Sequence, residues 1–557
     1  MRRTIGLGFW VFLSVFLFCG SKPARAQAPP QGLQKVNHII IVMQENHSFD
    51  NYFGALVYAP GSPYHSPDPF FAFLGGINGG CWPGDHKCVD GLSCLKDSVG
   101  ALHCFNSNQD TSGPRVFSFH DTRRCVLPDL DHSWVGSHEE ANFFHPNDAL
   151  GNPLNNGFVR ANDSTEQIDT GVESATEDQT MNFYNQDELP FYYDLAQKFA
   201  ISDRYFASVV GPTFPNRSYF VAATSFGHVT TSDTFPPSGG YKPITGTIFD
   251  LLDKNGVTWF DYFQDVPQGG AFRLFGTTGI DPHFLPLSAF LAQASGIPVP
   301  GLPPFPSVSF VDPNFGVLGG LAAENDEHPP TDIQRGQAFV SKVLNTIRNG
   351  PYWKDSIVLI TYDEHGGFFD HVPPPPAPQG FSRTPDGINP GQCEDLSNPP
   401  PSLLPGGGAE CAANPLSTTD TSLLDAEALC PQLSEDPTGP YPQHCADFDQ
   451  LGFRVPFIAV SPFSKPQYVS HNVGDHTSML ALIEKRFLTT ALSAPADGDG
   501  DADDVSTQHL TKRDQHAYPL LDMFDFDHSP SLNTALTLAL PPANDCTPTS
   551  QTGPILP

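Results

Sequence analysis

Basic residues are scarce: Lys and Arg number 28 against 61 Asp and Glu, a formal charge of −33 at neutral pH. Such a surplus of negative charge excludes a nucleic-acid partner and passive adhesion to anionic lipid. It leaves open a zwitterionic lipid or a small phosphate ester drawn into a local positive site. Long apolar runs are scarcer still. The one of note, Ile5 to Cys19, is shorter than the ~20 residues that a spanning helix needs. None of the 11 cysteines forms a C-x2-C pair, which argues against a zinc ribbon, and no internal repeat is visible.

The short apolar run has its own meaning. Arg2 and Arg3 precede it, and Ala24-Arg25-Ala26 follows as a small-x-small cleavage site before Gln27. Residues 1–26 are therefore expected to be a cleaved signal peptide, leaving an exported chain with no integral membrane segment: periplasmic, secreted or at the cell surface. Loss of Cys19 leaves an even ten cysteines, expected to be disulfide-bonded in that compartment. Cys81, Cys88, Cys94, Cys104 and Cys125 form one cluster, and Cys393, Cys411, Cys430 and Cys445 another. The odd count in the first points to a pairing of one of its members with the isolated Cys546.

The remainder reads as one large α/β domain over 27–530, interrupted by Pro-, Gly- and Cys-rich insertions at about 60–130 and 373–450, with a tail from 531 to 557. Val36–Val42, Ser356–Tyr362 and Val455–Ser461 are continuous apolar runs of the kind buried in a parallel sheet, and Thr258–Tyr262 and Val308–Val311 are weaker ones. Helical spacing lies between them at Phe191–Phe199, Ile333–Ile347 and Thr477–Phe487. The alternation predicts a mostly parallel sheet covered on both faces, with any ligand outside the carboxyl ends of its strands.

Polar clusters stand at those ends. Glu45 and Asn46 offer hard oxygen ligands for a divalent cation, or else a turn in which Asn46 and Asp50 bond local backbone. Asp363-Glu364-His365 follows an apolar strand, where desolvation calls for a metal or an opposite charge, and Gly366-Gly367 would let the backbone approach a ligand. Thr213, between Pro212 and Pro215, precedes a helix whose positive end favours phosphate and a developing alkoxide; Asn216 and Arg217 could complete an anion clamp, the competing role of Thr213 being a helix cap. His132, His328 and His476 could each stabilise phosphate charge or protonate a leaving group. Asp497 to Asp504 resembles the start of a calcium loop, though Ala502 stands where the turn glycine belongs, so a solvated acidic loop is the simpler reading.

Their order along the chain adds what none carries alone. Glu45-Asn46-His47-Ser48-Phe49-Asp50, Asp131-His132-Ser133-Trp134, Leu189–Tyr193, Gly211–Arg217, Glu327–Pro330, Thr361–Gly367, Asp475–Thr477, Arg513-Asp514 and Asp522–Phe526 together resemble the bacterial phospholipase C and acid phosphatase family. The first motif departs from the family's E-N-R-S-F-D at His47. The resemblance implies an alkaline-phosphatase-like three-layer α/β/α sandwich. It implies a divalent metal, of unspecified identity, held by Glu45, Asn46, Asp363 and Glu364. It makes Thr213 the nucleophile, and places His132, His328 and His476 on the phosphate or the proton path, with Asn216, Arg217 and His365 at the substrate. Phospholipase C action is the first reading, and acid phosphatase action on monoesters the second. A metal-binding surface protein without catalysis is a third. The chain stops soon after Phe526, without the C-terminal modules of the long phospholipase C members, which weakens the lipid assignment in particular.

Overall fold

The computed structural model describes residues 32–540 apart from 68–79, 110–114, 125–128, 143–153, 163–178, 227–230, 232–239, 242, 244, 274, 277–278, 321–322, 379–447, 449, 489–508, 529 and 533–537. The signal segment, the acidic run at 497–504, most of the second insertion and the end of the tail lie outside the described residues.

Eight strands form the central sheet: β1 (His38–Gln44), β2 (Ala200–Ser202), β3 (Trp259–Phe263), β4 (Phe284–Pro286), β5 (Val308–Val311), β6 (Ser356–Tyr362), β7 (Phe457–Val460) and β8 (Tyr468–Ser470). Their spatial order is β4-β3-β5-β1-β6-β7-β2-β8. Every residue of β1 and β6 is buried, which requires cover on both faces and explains why the two strands read as unbroken apolar runs rather than alternating ones. These strands lie parallel and in register from His38↔Ser356 to Gln44↔Tyr362, so both polar clusters emerge side by side at one edge.

One expectation fails here. The run Val455–Ser461 contributes only Phe457–Val460, and this strand is antiparallel to both β6 and β2. A continuous apolar run reports burial on two faces; it carries no information about strand direction. The short strands β2, β4 and β8 are too brief for a periodic signal, and enter the sheet because their neighbours supply the pairing.

The helices that matter to the site are α1 (Phe49–Phe53), α2 (Trp134–Glu140), α3 (Pro190–Lys198), α4 (Thr213–Ala222), α5 (Ile333–Asn349) and α6 (His476–Phe487). Helix α5 buries Phe339, Val340, Val343, Leu344 and Ile347 on one face and starts at Asp332, whose side chain accepts from Gln334 N. Helix α6 starts in a capping box between Asp475 and Ser478.

The first insertion is stapled. Cys81 pairs with Cys88 and Cys94 with Cys104, the latter directly across a hairpin. These four pair among themselves. Cys125 and Cys546 lie outside the described residues, as do Cys393, Cys411, Cys430 and Cys445. Among the described residues no helix is long and apolar enough to cross a membrane.

Candidate active site

Glu45 and Asn46 leave β1 where Asp363 and Glu364 leave β6. Glu45 N donates to Asp326 O at 2.8 Å, pulling the segment that carries His328 against the end of β1. Asn46 turns the chain with φ of 61°, a left-handed conformation that Asn tolerates, and its N–H donates to Asp363 Oδ1 at 3.2 Å. Gly366 and Gly367 also have positive φ, but their need for glycine is internal. A Cβ on Gly366 would stand 2.2 Å from Asn46 O, and one on Gly367 2.5 Å from Leu130 Cβ. The close approach expected to serve a ligand serves the protein's own loops instead.

Helix α4 supplies the third wall. Pro212 is its N-cap and Thr213 its first residue, with no side-chain cap bond, so the capping role weighed for Thr213 is not the one it takes. Its hydroxyl has no hydrogen-bond partner among the described residues. Arg217 follows one turn later on the same helical face. Its Nη2 donates to Glu45 Oε1 at 2.8 Å and its Nε to Asp363 Oδ2 at 3.2 Å, both in a fully buried setting. That reach turns the Thr213 face toward the strand ends.

The histidines divide into two groups. His132 and His328 face each other with ring centroids 5.8 Å apart, beside Asp129. Each commits Nδ1 to a carbonyl, Leu130 O at 2.7 Å and Pro329 O at 2.6 Å, leaving Nε2 toward the site. His132 Nε2 lies 3.4 Å from Asn46 Nδ2. Asp129, His132 and His328 bring one ligand atom each within 4.8 Å of one another, a set able to hold a proton or a cation.

The others are spent on structure. His476 is fully buried, with Nε2 2.6 Å from Asp363 O and Nδ1 3.4 Å from Tyr205 Oη. It positions the Asp363 backbone rather than presenting a free nitrogen. His365 is likewise used at both nitrogens, by Glu140 Oε2 at 2.6 Å and Glu364 Oε2 at 3.0 Å, and steadies Glu364 from behind. Asn216 Oδ1 accepts from Ser208 N and Val209 N, and its Nδ2 donates to Gly211 O and Pro212 O. The side chain expected at the substrate is thus the strut of the loop that presents Thr213.

Carboxylates outnumber cations in this pocket, and the protonation equilibria show it. Burial pushes Glu45 up to about 8, against the pull of Arg217 and with Asp363 and Glu364 adding to the rise. Burial alone would depress His132, but Glu364 and Asp129 outweigh it and lift the imidazole to about 10. Asp326, buried beside Glu324 and Glu45, is pushed well above the usual carboxylate range.

Asp326 and Glu327 immediately precede His328, and Asp129 stands three residues before His132. Glu327 is caged by three phenols: Tyr52 and Tyr362 donate to Oε2 and Tyr192 to Oε1, each at 2.6 Å. His47, which stands where the resemblance expects arginine, is pushed down to about 3 by burial and stacks between Tyr52 and Phe368. It links Asn51 Oδ1 to Glu327 O, at 2.8 and 2.9 Å. No spacing rule would have joined Tyr52, Tyr192 and Tyr362 to Glu327, from which they stand 275, 135 and 35 positions away.

The residues fit a divalent cation by a criterion of the structure itself. Asn46 Oδ1 and Glu364 Oε1 are buried without a hydrogen-bond partner, next to the carboxylates of Glu45 and Asp363. An orphaned buried oxygen costs ~1–3 kcal/mol, and hard oxygens of this kind are what a divalent ion takes up.

A mostly parallel α/β sheet with an acidic, hydroxyl-bearing site at its carboxyl edge defines a hydrolase of phosphoester bonds. The chain belongs to the phosphoesterase family, whose pattern matches residues 36–489. It is similar to non-specific phospholipase C1 of Arabidopsis thaliana, 27% identical over 545 residues covering 93% of this chain and 78% of that protein. Phospholipase C B of Mycobacterium tuberculosis is 28% identical, covering 94% and 85%. Among solved structures, murine ectonucleotide pyrophosphatase/phosphodiesterase 5 aligns over 55% of this chain and 91% of that one at 12% identity. Its TM-score is 0.28.

Proposed function

We propose that the protein is an exported, metal-dependent phospholipase C that cleaves a glycerophospholipid between glycerol and phosphate. Diacylglycerol and a phosphorylated head group are the products. The observation that carries the reading is the pair of orphaned oxygens, Asn46 Oδ1 and Glu364 Oε1, among Glu45 and Asp363, the two carboxylates that Arg217 of the Thr213 helix contacts. The similarity to two phospholipases C over nearly the whole chain supports the lipid substrate.

Glu45, Asn46, Asp363 and Glu364 would hold the divalent ion, which when bound lowers the pKa of a neighbouring hydroxyl and draws charge from a phosphoryl oxygen. Thr213 Oγ1 attacks phosphorus in line as the bond to the glycerol oxygen breaks, giving a phosphothreonine. The positive end of α4 faces the charge that develops there. His132 or His328 gives the departing glycerol oxygen its proton from Nε2, the nitrogen left free by the carbonyl bonds at Nδ1. Water then attacks the phosphothreonine, restoring Thr213 and releasing the head-group phosphate. Arg217 holds Glu45 and Asp363 apart from each other's charge while the site is empty of substrate.

Acid phosphatase action would use the same residues on a monoester. The deciding experiment compares diacylglycerol release from phosphatidylcholine micelles with hydrolysis of p-nitrophenyl phosphate, before and after chelation. Chelator-sensitive lipid cleavage exceeding monoester turnover is expected. Monoester turnover without lipid cleavage would move the enzyme to the phosphatase branch, and metal content without turnover on either would make it a binding protein.

A further inference from the structure

The first insertion carries an apolar surface that no other segment covers among the described residues. Two hairpins build it: Cys94–Lys96 pairs with Leu102–Cys104, and Ser107–Gln109 pairs with Arg115–Phe117. Phe105 N donates to Ser93 O at 2.9 Å, and Ser118 N to Asn106 O at 2.9 Å, so the pairing runs through the junction between them. Side chains alternate along such strands. One face presents the Cys94–Cys104 disulfide, Leu102, the buried Asn108 and Val116, all turned inward onto the protein. The other presents Leu95, Phe105 and Phe117, which are 63%, 58% and 50% exposed, with Val99 at the turn, 86% exposed. Three large apolar side chains on one strand face, outward, is the arrangement that a free surface avoids unless it is used.

The inner face shows that this is a rigid platform. It packs into the cluster of Phe158, Phe369 and Phe453. Phe453 in turn lies against His365, with ring centroids 4.3 Å apart and planes tilted by 39°, and His365 holds Glu364. The platform is therefore built on the wall behind the active site and cross-linked at its root.

Charge selects the occupant. In a chain with 61 acidic residues, the four strands of the platform contain none, and the outward face carries Arg115, whose described partners are the neutral Ser107 and Gln109. Asp97, in the turn, is occupied by His103 and by the amides of Val99 and Ala101. An apolar face with a cation and no free carboxylate suits a phosphate-bearing, uncharged-overall lipid surface. The chain's total charge of −33 opposes an anionic one.

We infer that Leu95, Phe105 and Phe117, with Val99 at the tip and Arg115 at the side, seat the enzyme on a zwitterionic phospholipid interface. The inference rests on the lipid reading of the active site and extends it from the reacting bond to the surface in which that bond is found.

Cosedimentation with dioleoylphosphatidylcholine vesicles, in a Thr213→Ala background that spares the lipid, measures docking without turnover. Replacing Leu95, Phe105 and Phe117 together by Ser is expected to weaken vesicle binding by about a thousandfold, at roughly tenfold for each apolar side chain withheld from the lipid. The same three changes in the otherwise intact enzyme leave turnover of water-soluble p-nitrophenyl phosphorylcholine within about twofold. Leu95→Trp, a conservative change on the same face, is expected to tighten vesicle binding several-fold. Unchanged vesicle binding in both variants, or no vesicle binding by the parent chain, overturns the inference and leaves the face to a protein partner. Vesicle binding without diacylglycerol release from the intact enzyme sinks the substrate assignment instead, and leaves the docking face standing.

Discussion

Arg217 reaches from α4 across the edge of the sheet to Glu45, its Nη2 donating to Oε1 at 2.8 Å, with both side chains buried. The same guanidinium contacts Asp363, so one residue ties the helix of Thr213 to the ends of both central strands. Losing one partner of a buried ion pair strands the other's charge, at a cost of about 3–5 kcal/mol. Arg217→Gln should therefore lower stability by an amount of that order in chemical denaturation and reduce kcat as well. A variant as stable as the parent would show that the pair is dispensable.

Thr213 is the nucleophile proposed above, and Asn216 braces the loop that presents it. Thr213→Ala is expected to cut kcat by about four orders of magnitude or more while leaving bound metal unchanged. Thr213→Ser should restore most of the rate and carry the phosphoryl group in an acid-quenched sample. Parent-like turnover from Thr213→Ala would end the covalent mechanism.

Metal binding has its own test. Dialysis against a chelator should abolish turnover, and a divalent ion should restore it. Asn46→Ala and Glu364→Gln should each lower bound metal, because each removes an oxygen that has no other partner. Equal metal content in the parent and both variants would move the ion elsewhere.

Gly366 gives a more selective probe of the same site. Its φ of 64° and the 2.2 Å separation of a would-be Cβ from Asn46 O leave no room for a side chain. Gly366→Ala should displace the Asn46 loop, weakening metal affinity and activity at least about tenfold, with the far-ultraviolet circular dichroism unchanged. Retained affinity would mean that the two loops can part without consequence.

A separate network reports on pH. His371 Nδ1 lies 2.6 Å from Asp50 Oδ2 and its Nε2 3.2 Å from Asp90 Oδ1, with Arg454 Nη2 3.3 Å from Nδ1. Burial by itself lowers the imidazole, but Asp50 and Asp90 outweigh it and raise it from 6.5 to about 10. A folded value above the unfolded one stabilises fully below pH 6.5, and the gain is lost as pH rises through about 10. Thermal unfolding of the parent and His371→Gln should differ most at pH 6 and converge above pH 10. A difference independent of pH would show that the imidazole is held by packing alone.

The positions of the metal-binding candidates were legible because they end apolar strands, where charge has no reason to be unless it is compensated. Glu45-Asn46 and Asp363-Glu364 announced themselves in that way, and Thr213 stood out between two prolines. Arg217 was legible as a cation but not as the partner of Glu45, 172 positions away. Asn216, His365 and His476 show the limit from the other side. Their residue types suit substrate or proton chemistry equally well, and only the satisfied hydrogen bonds at each nitrogen and oxygen assign them to support.

What the sequence determined by itself was local and periodic: buried strands, amphipathic helices, a hydroxyl near a helix start, and the sign of the charge. Tertiary structure decided which strand ends are neighbours, the reversed direction of Phe457–Val460, and the cage of Tyr52, Tyr192 and Tyr362 around Glu327. It also decided that Leu95, Phe105 and Phe117 share an outward face. The physical reason is the same throughout. Propensity and hydrophobic period act over a few residues, whereas burial of a polar atom or exposure of an apolar one depends on segments that the chain brings together from hundreds of residues apart.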